Sequence, residues 1–440
     1  MTNTTLTIKR LSTFFIAGIL IGAVAIFSPT QPVYAPPAAE FTIEDNDTGE
    51  DCEGESIGKW NDKTKTCRLT DDLLGFSIVI GDDDITLNCD GHTLDGGVIG
   101  DSGIVVINQS FVTIKNCQVT GFTNGIFLQF ADNNTIKSNH LFENSAKGIR
   151  LNVSDENTIK GNNAFDNDVG VFLEGADGNT LLGNTVNDND SNGIHIMQSF
   201  ENILKENTVN GNLGNGIRIF EAASNKLIGN TANGNAENGI QLGIGGNNEL
   251  QENTANGNGM NGIQLDESDF NFLFGNTANG NDEGGIMLDG SIENHIEANI
   301  ANGNESGIVI GILANDNTIM GNTVKDNNSE GIFVHEASGN TLEGNRAEGN
   351  AGVGIKIREA PSNILIGNTA IKNGNHGFSL ESGTLNIIES NEAKNNNAFG
   401  FSDDTSGAGT EGTGNFYTSS KCVANGDGGS DPTGLCAPQP

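Results

Sequence analysis

A motif of about 23 residues recurs along most of the chain, and three asparagines keep a fixed spacing within it. The first column runs Asn134, Asn157, Asn179, Asn202, Asn225, Asn248, Asn271, Asn294, Asn317, Asn340, Asn363 and Asn386. A second column lies five residues on, from Asn139 to Asn391, and a third lies five beyond that. A glycine opens each copy, from Gly103 to Gly400, at intervals of 22 to 24 residues. A period this strict restricts the chain to a stack of like units, each covering the next.

Each copy holds short segments with apolar residues two apart, as in Ile240-Gln241-Leu242, separated by Asn or Gly. That alternation marks strands with one buried face. Helical spacing is missing, and the Leu-dominated pattern of a leucine-rich repeat is absent. The solution left is all-β: a coil of three strands stacked on like coils, a single-stranded parallel β-helix of about 14 coils. Asn tolerates positive φ better than any residue but Gly, so the asparagine columns are read as the corners where the strand bends. Coils about 4.8 Å apart would let identical amides bond up and down a column, and this number of coils implies a rod on the order of 65 Å long.

Composition agrees with such a rod. Only 35 % of the chain is hydrophobic, and it has 61 glycines. A globule would lack core material, whereas a solenoid needs only a thin line of Ile, Leu, Val and Ala per coil. With 57 acidic against 21 basic residues the net charge is −36, which excludes nucleic acid as a partner.

Residues 1–35 read as a secretory signal: Lys9 and Arg10, an apolar run from Leu11 to Phe27, then Val33-Tyr34-Ala35 before the cut. An uncleaved anchor is the alternative. Once the signal is cut, no later segment is apolar enough to span a membrane. The expected location is secreted, extracellular or cell-surface, or periplasmic in a bacterium with an outer membrane. Residues 36–51 read as a linker, 52–77 as a disulfide-tied N-terminal cap, 78–402 as the repeat domain, and 403–440 as a Gly/Ser/Thr-rich loop with a C-terminal cap. Cysteines in an exported chain pair. Cys52 with Cys67 and Cys422 with Cys436 are the local pairs that would tie each cap, and Cys89 with Cys117 is a third pairing between coils. The sequons at Asn46, Asn108, Asn133, Asn152, Asn304 and Asn327 are candidate glycosylation sites. The sequence sets no oligomeric state.

Copies such as Asn317-Thr-Ile-Met-Gly-Asn322-Thr-Val-Lys-Asp-Asn327, followed by Gly331-Ile-Phe-Val, resemble the right-handed parallel β-helix repeat family. The likeness is to its NosD-like branch with carbohydrate-binding and sugar-hydrolase repeats. The opening Ile85-Thr-Leu-Asn-Cys-Asp-Gly-His-Thr-Leu94 is similar to that family's first coil. The resemblance implies a right-handed coil. Its NosD branch implies a periplasmic role in copper-site maturation, for which His195 and Met197 are the one local pair of suitable ligands.

Sites on such a rod use outward side chains of neighbouring coils, where a polymer can lie along the stack. The outward positions of the Gly-Ile-x-Leu strand bring together His195, Arg218, Phe220, Gln241, Gln264, Asp266 and Asp289. Aromatic rings that stack on sugars beside planar hydrogen-bonding groups suit a polysaccharide or a cell-envelope glycan. The preferred reading is therefore a polysaccharide-binding, envelope or adhesion protein. The alternative is a lyase or hydrolase using Asp266, Asp289 and Arg218, since carboxylates on adjacent coils admit glycosidase spacing. Neither an Asp-Pro-His-Asp segment nor a Gly-His-Gly with paired aspartates occurs, and Gly81-Asp-Asp-Asp84 reads as a turn. No cofactor is assigned, but two Asp-rich stretches are candidate Ca²⁺ loops: Asp45, Asp47 and Asp51 near the start, Asp427 and Asp431 near the end.

Overall fold

The computed structural model describes residues 40–97 and 101–437. The export-signal reading for residues 1–35 lies outside the described residues, as does the first part of the segment read as linker.

Three strands per turn stack in parallel on their counterparts one coil away. One face is a 17-stranded sheet, here sheet A, that runs from Glu40–Ile43 through Ile217–Phe220 and Ile240–Gly246 to Gly428–Asp431. A second long ladder, sheet B, starts at the hairpin of Gly58–Asn61 and Thr66–Leu69 and ends at Phe416–Thr418. The third face, sheet C, forms two six-stranded pieces. Between them Thr185, Thr208, Thr231, Thr254, Thr277 and Ile300 continue the column as single bridges. With 17 strands in sheet A and about 4.8 Å per step, the stack is on the order of 75 Å long. It exceeds the length expected from the sequence because both ends add coils. Glu40–Ile43, within the segment read as linker, pairs in parallel with Ser77–Ile80. The C-terminal segment is likewise a coil: Phe416–Thr418, Lys421–Val423 and Gly428–Asp431 each extend one of the three sheets.

The core is a thin column of aliphatic side chains. In one coil Ile217, Ile219, Leu227 and Ala232 are all buried. Small residues on sheet C leave room for the opening glycines. A Cβ on Gly239 would lie 2.7 Å from the carbonyl oxygen of Gly262 and 2.8 Å from the Cβ of Ala255, so the coil tolerates no side chain there.

The asparagine columns line this core as amide ladders. Asn253 is typical: its backbone N–H and its Nδ2 both donate to Asn276 Oδ1, at 2.9 and 3.0 Å. Nδ2 donates a second time, to the carbonyl of Leu227 at 2.8 Å. Its own Oδ1 accepts the N–H and Nδ2 of Asn230. One side chain therefore satisfies groups on two neighbouring coils, which is how buried corners avoid orphaned amides. The backbone reason for these asparagines differs from the one expected from the sequence. The ladder asparagines do not carry the positive φ; the residue before each one does, as with Glu252 (φ 52) before Asn253 and Gly257 (φ 62) before Asn258. The bend is made one residue early, so that the amide itself turns inward.

All three disulfides form: Cys52–Cys67, Cys89–Cys117 and Cys422–Cys436. The first ties the short helix Asp51–Gly54 to the hairpin strand Thr66–Leu69, the second joins consecutive coils, and the third ties the final turn. The C-terminal coil is also held by a buried carboxylate. Asp403 accepts hydrogen bonds from the Tyr417 hydroxyl at 2.9 Å and Asn415 Nδ2 at 3.0 Å, so its charge is solvated by the protein. Burial and that neighbouring carboxylate push the Tyr417 hydroxyl pKa up.

Candidate functional site

The register of sheet A assembles the outward face. His195 pairs with Arg218, Arg218 with Gln241, Gln241 with Gln264 and Gln264 with Met287. Two residues along each strand, Met197, Phe220, Gly243, Asp266 and Asp289 form a parallel column. Inward neighbours such as Ile217 and Ile219 are buried, which forces these alternate side chains outward. The residues proposed from sequence thus share one strip over five coils, with Asp266 and Asp289 directly in register.

The same face continues in both directions with residues that the sequence reading left outside the site. All four described cation–ring contacts lie on it. Arg150 sits 5.3 Å from the Phe127 ring and Arg218 4.9 Å from Phe220; Lys147 lies 5.6 Å from Phe172 and Lys356 5.8 Å from Phe333. The His195 ring is 5.1 Å from Phe172, and His335 stacks on Phe333 at 5.4 Å. In a chain this acidic, such a basic and aromatic strip is a distinct local environment. Lys147 precedes the glycine of its copy, outside the Gly-Ile-x-Leu positions, which is why the outward pattern missed it.

His195 is neutral at ordinary pH. Burial lowers its pKa to about 4, and the nearby positive charges of Arg218 and Lys147 add to the fall. Its Nε2 is buried without a hydrogen-bond partner in the protein, and so is Nε of Arg218. A groove of about 360 Å³ continues the strip and is lined by Met260, Gln264, Glu283, Met287, Glu305 and Val309.

The metal candidates are not assembled. Among the described residues no group of three or more His, Cys, Asp and Glu side chains is placed to hold a metal ion. At the first calcium stretch Asp45 pairs with Lys65 Nζ at 2.7 Å, and Asp51 Oδ2 accepts the N–H of Thr42. At the second, Asp427 and Asp431 act on His376, where they oppose the lowering of its pKa by burial. His195 and Met197 share a strand, yet the imidazole packs on Phe172, and among the described residues His195 belongs to no group of three or more His, Cys, Asp and Glu side chains. The turn at Gly81-Asp-Asp-Asp84 is structural: Asp82 accepts the N–H of Asp45 and Asp83 that of Ser110. Of the sequons, Asn304 and Asn327 are buried ladder amides and are closed to glycosylation in the folded rod.

Two further amide columns escaped the sequence reading. Asn187, Asn210, Asn233, Asn256, Asn279 and Asn302 each accept, through Oδ1, the N–H of the matching residue one coil on. Asn192, Asn215, Asn238 and Asn261 do the same beside the opening glycines. Their signal was present, since they recur at the same 23-residue spacing, but over fewer copies.

The family model for the right-handed beta helix region matches residues 74–209, 102–254, 202–339 and 311–433. No curated protein matches the chain. Among solved structures, the periplasmic alginate epimerase AlgG is similar at 13 % identity, with 83 % of this chain and 78 % of that one covered and a TM-score of 0.39. A mannuronan C-5 epimerase A-module of Azotobacter vinelandii is similar at 15 % identity, covering 81 % and 87 %, with a TM-score of 0.38. The enzymatically active domain of tailspike protein 2 of bacteriophage CBA120 is similar at 14 % identity, covering 54 % and 44 %, with a TM-score of 0.44.

Proposed function

We propose, from the premise that this chain belongs to the right-handed β-helix family, that it is an exported polysaccharide-binding protein whose ligand lies along the outward face of sheet A. The observation that carries the reading is the concentration of every described cation–ring contact on that one face, interleaved with the amides of Gln241 and Gln264. Exposed ring faces stack on the apolar faces of sugars, and planar amides and guanidinium groups bond hydroxyls in pairs. Coils repeating at about 4.8 Å offer these groups at a spacing close to one sugar unit. Three disulfides fit an oxidising compartment, and among the described residues no helix is long and apolar enough to cross a membrane.

The test is a glycan array followed by calorimetry on the wild-type chain and on a Phe172→Ala, Phe220→Ala double variant. Binding to polysaccharide that falls about tenfold or more in the variant supports the reading. No binding to any glycan refutes it.

A catalytic use of the same face is a second reading, favoured by the in-register pair Asp266 and Asp289, which share the strip with Arg218 two and three coils away. New reducing ends or unsaturated uronates released from a polysaccharide, and lost in Asp289→Asn, would establish it. Intact polymer after prolonged incubation with every bound glycan would remove it.

A further inference from the structure

The basic residues of sheet A's first outward column follow a rule with one exception. Arg150 is met by Glu174, one coil on and one outward position along, at 3.0 Å. Lys356 is met by Glu381 in the same relation, at 3.1 Å. For Arg218 the corresponding position is Gly243. Arg68, Arg150, Arg346 and Arg358 each have a carboxylate within ion-pair reach, and Arg218 alone among the described arginines has none. Its guanidinium lies over the Phe220 ring, and its buried Nε, like that of Arg150, finds no acceptor in the protein. In a chain with 57 acidic residues, an arginine without a carboxylate is the exception that needs a cause.

We infer that the Arg218–Gly243 step is a subsite for one carboxylate-bearing sugar residue, whose carboxylate takes the place that Glu174 and Glu381 fill on the other coils. The inference rests on the polysaccharide reading and narrows it. Gly243 supplies the space: the added Cβ of any other residue would lie 3.1 Å from Phe220 Cδ2, at the rim of the ring on which the sugar would stack. A guanidinium pairs with a carboxylate through two parallel hydrogen bonds, so the subsite selects an acidic residue over a neutral one.

The rest of the strip sets the charge pattern of the polymer. Gln241 and Gln264 follow Arg218, and then Asp266 and Asp289 face outward two and three coils away. A chain with a carboxylate on every sugar would bring like charges against both aspartates. A polymer with isolated acidic residues between neutral ones would bind Arg218 and place hydroxyls on the amides and aspartates. The ligand class is therefore an acidic heteropolysaccharide, and homopolyuronates are disfavoured.

The test uses the full exported chain on an array of neutral, sparsely uronate-bearing and homopolyuronate glycans, with calorimetry on the best binder. Three variants accompany it. Arg218→Gln removes the cation. Gly243→Glu installs the missing internal partner. Gly243→Gln adds equal bulk without charge. The expected result is preference for sparsely acidic glycans, weakened about tenfold or more by Arg218→Gln and by Gly243→Glu, and distinctly less by Gly243→Gln. Thermal melting confirms that each variant remains folded. Equal loss in Gly243→Glu and Gly243→Gln would show bulk rather than charge at work and overturn the inference. Binding of neutral glycans only, or strongest binding of homopolyuronates, would also overturn it while leaving the polysaccharide reading standing. Binding of nothing would remove both.

Discussion

The two sides of a single strand, Ile217–Phe220, obey different rules. Ile217 and Ile219 point into a column where every coil repeats the same type of side chain, because each must fit directly over its neighbours. Arg218 and Phe220 point into columns where His, Arg, Gln, Met, Gly and Asp succeed one another. Stacking constrains the inside alone. The inward columns therefore record how the rod holds together, and the outward ones are where chemistry specific to this chain is found.

The hardest test of that contrast compares two asparagines three residues apart. Asn253→Ala should orphan the buried N–H of Asn230, leave its Nδ2 with the carbonyl of Leu204 alone and take a donor from the carbonyl of Leu227, at a cost of about 2–4 kcal/mol. Asn256 accepts only the N–H of Asn279, in a half-exposed column, and Asn256→Ala should cost about 1 kcal/mol. Chemical denaturation of the two variants measures the difference. Equal effects would mean that the inner ladders are not the principal polar support of the fold.

Glycines give the second comparison. Gly239→Ala forces a methyl within 2.7 Å of a backbone oxygen on the next coil, and should cost about 1–3 kcal/mol. At Gly243 the nearest atom to a new methyl belongs to the Phe220 ring, which can shift. Gly243→Ala should thus change stability by less than about 0.5 kcal/mol. Parallel melting curves check both, and a severe loss at Gly243 would place it with the inward columns.

The third prediction concerns pH. The pKa of His195 falls from 6.5 to about 4 on folding, so as pH drops the unfolded chain takes up the proton first. Stability should decline from about pH 6.5 down to about pH 4 through this group. His195→Gln should flatten that part of the melting-temperature profile, and an unchanged profile would show that the imidazole is more solvated than its packing on Phe172 suggests.

What could be read from the sequence follows the same division. Gly239, Asn253 and Ala255 repeat at 23 residues, so the coil, its register and the outward strip all follow from spacing. The positions of the bends were legible too, but the reason attached to Asn was one residue out: Glu252 and Gly257 carry the left-handed backbone, and spacing alone does not distinguish the residue that turns from the one that bonds. The Asp403, Asn415 and Tyr417 cluster was illegible because it is made by the irregular last coil, where no neighbouring copy provides a template. Gly243 was visible in its column, yet its meaning needed the pairing of Arg150 with Glu174, a diagonal contact that a column-by-column reading does not show.

A small gain in stability is expected where the two rules meet. Asp132, Asp155 and Asp177 form a column beside the turn after sheet A: the N–H of Asp155 bonds Asp132 Oδ1 and the N–H of Asp177 bonds Asp155 Oδ1, each at 2.8 Å. The bonds need only a carbonyl-type oxygen, yet each link carries a charge. Burial raises the pKa of Asp155, the hydrogen bond from the N–H of Asp177 opposes the rise, and the charges of Asp177, Asp132 and Glu156 add to it. A raised carboxylate pKa means that the folded state holds its proton longer, so the penalty is present above the folded pKa and vanishes below the unfolded one. Asp155→Asn keeps the acceptor and removes the charge, as Asn315 does further along the same column, where it accepts the N–H of Ser338. At neutral pH the variant should be more stable by up to about 1 kcal/mol, with the gain fading as the solution is acidified. A loss of stability at neutral pH would mean that the carboxylate itself is required there, and would move this column from the structural side of the comparison to the chemical one.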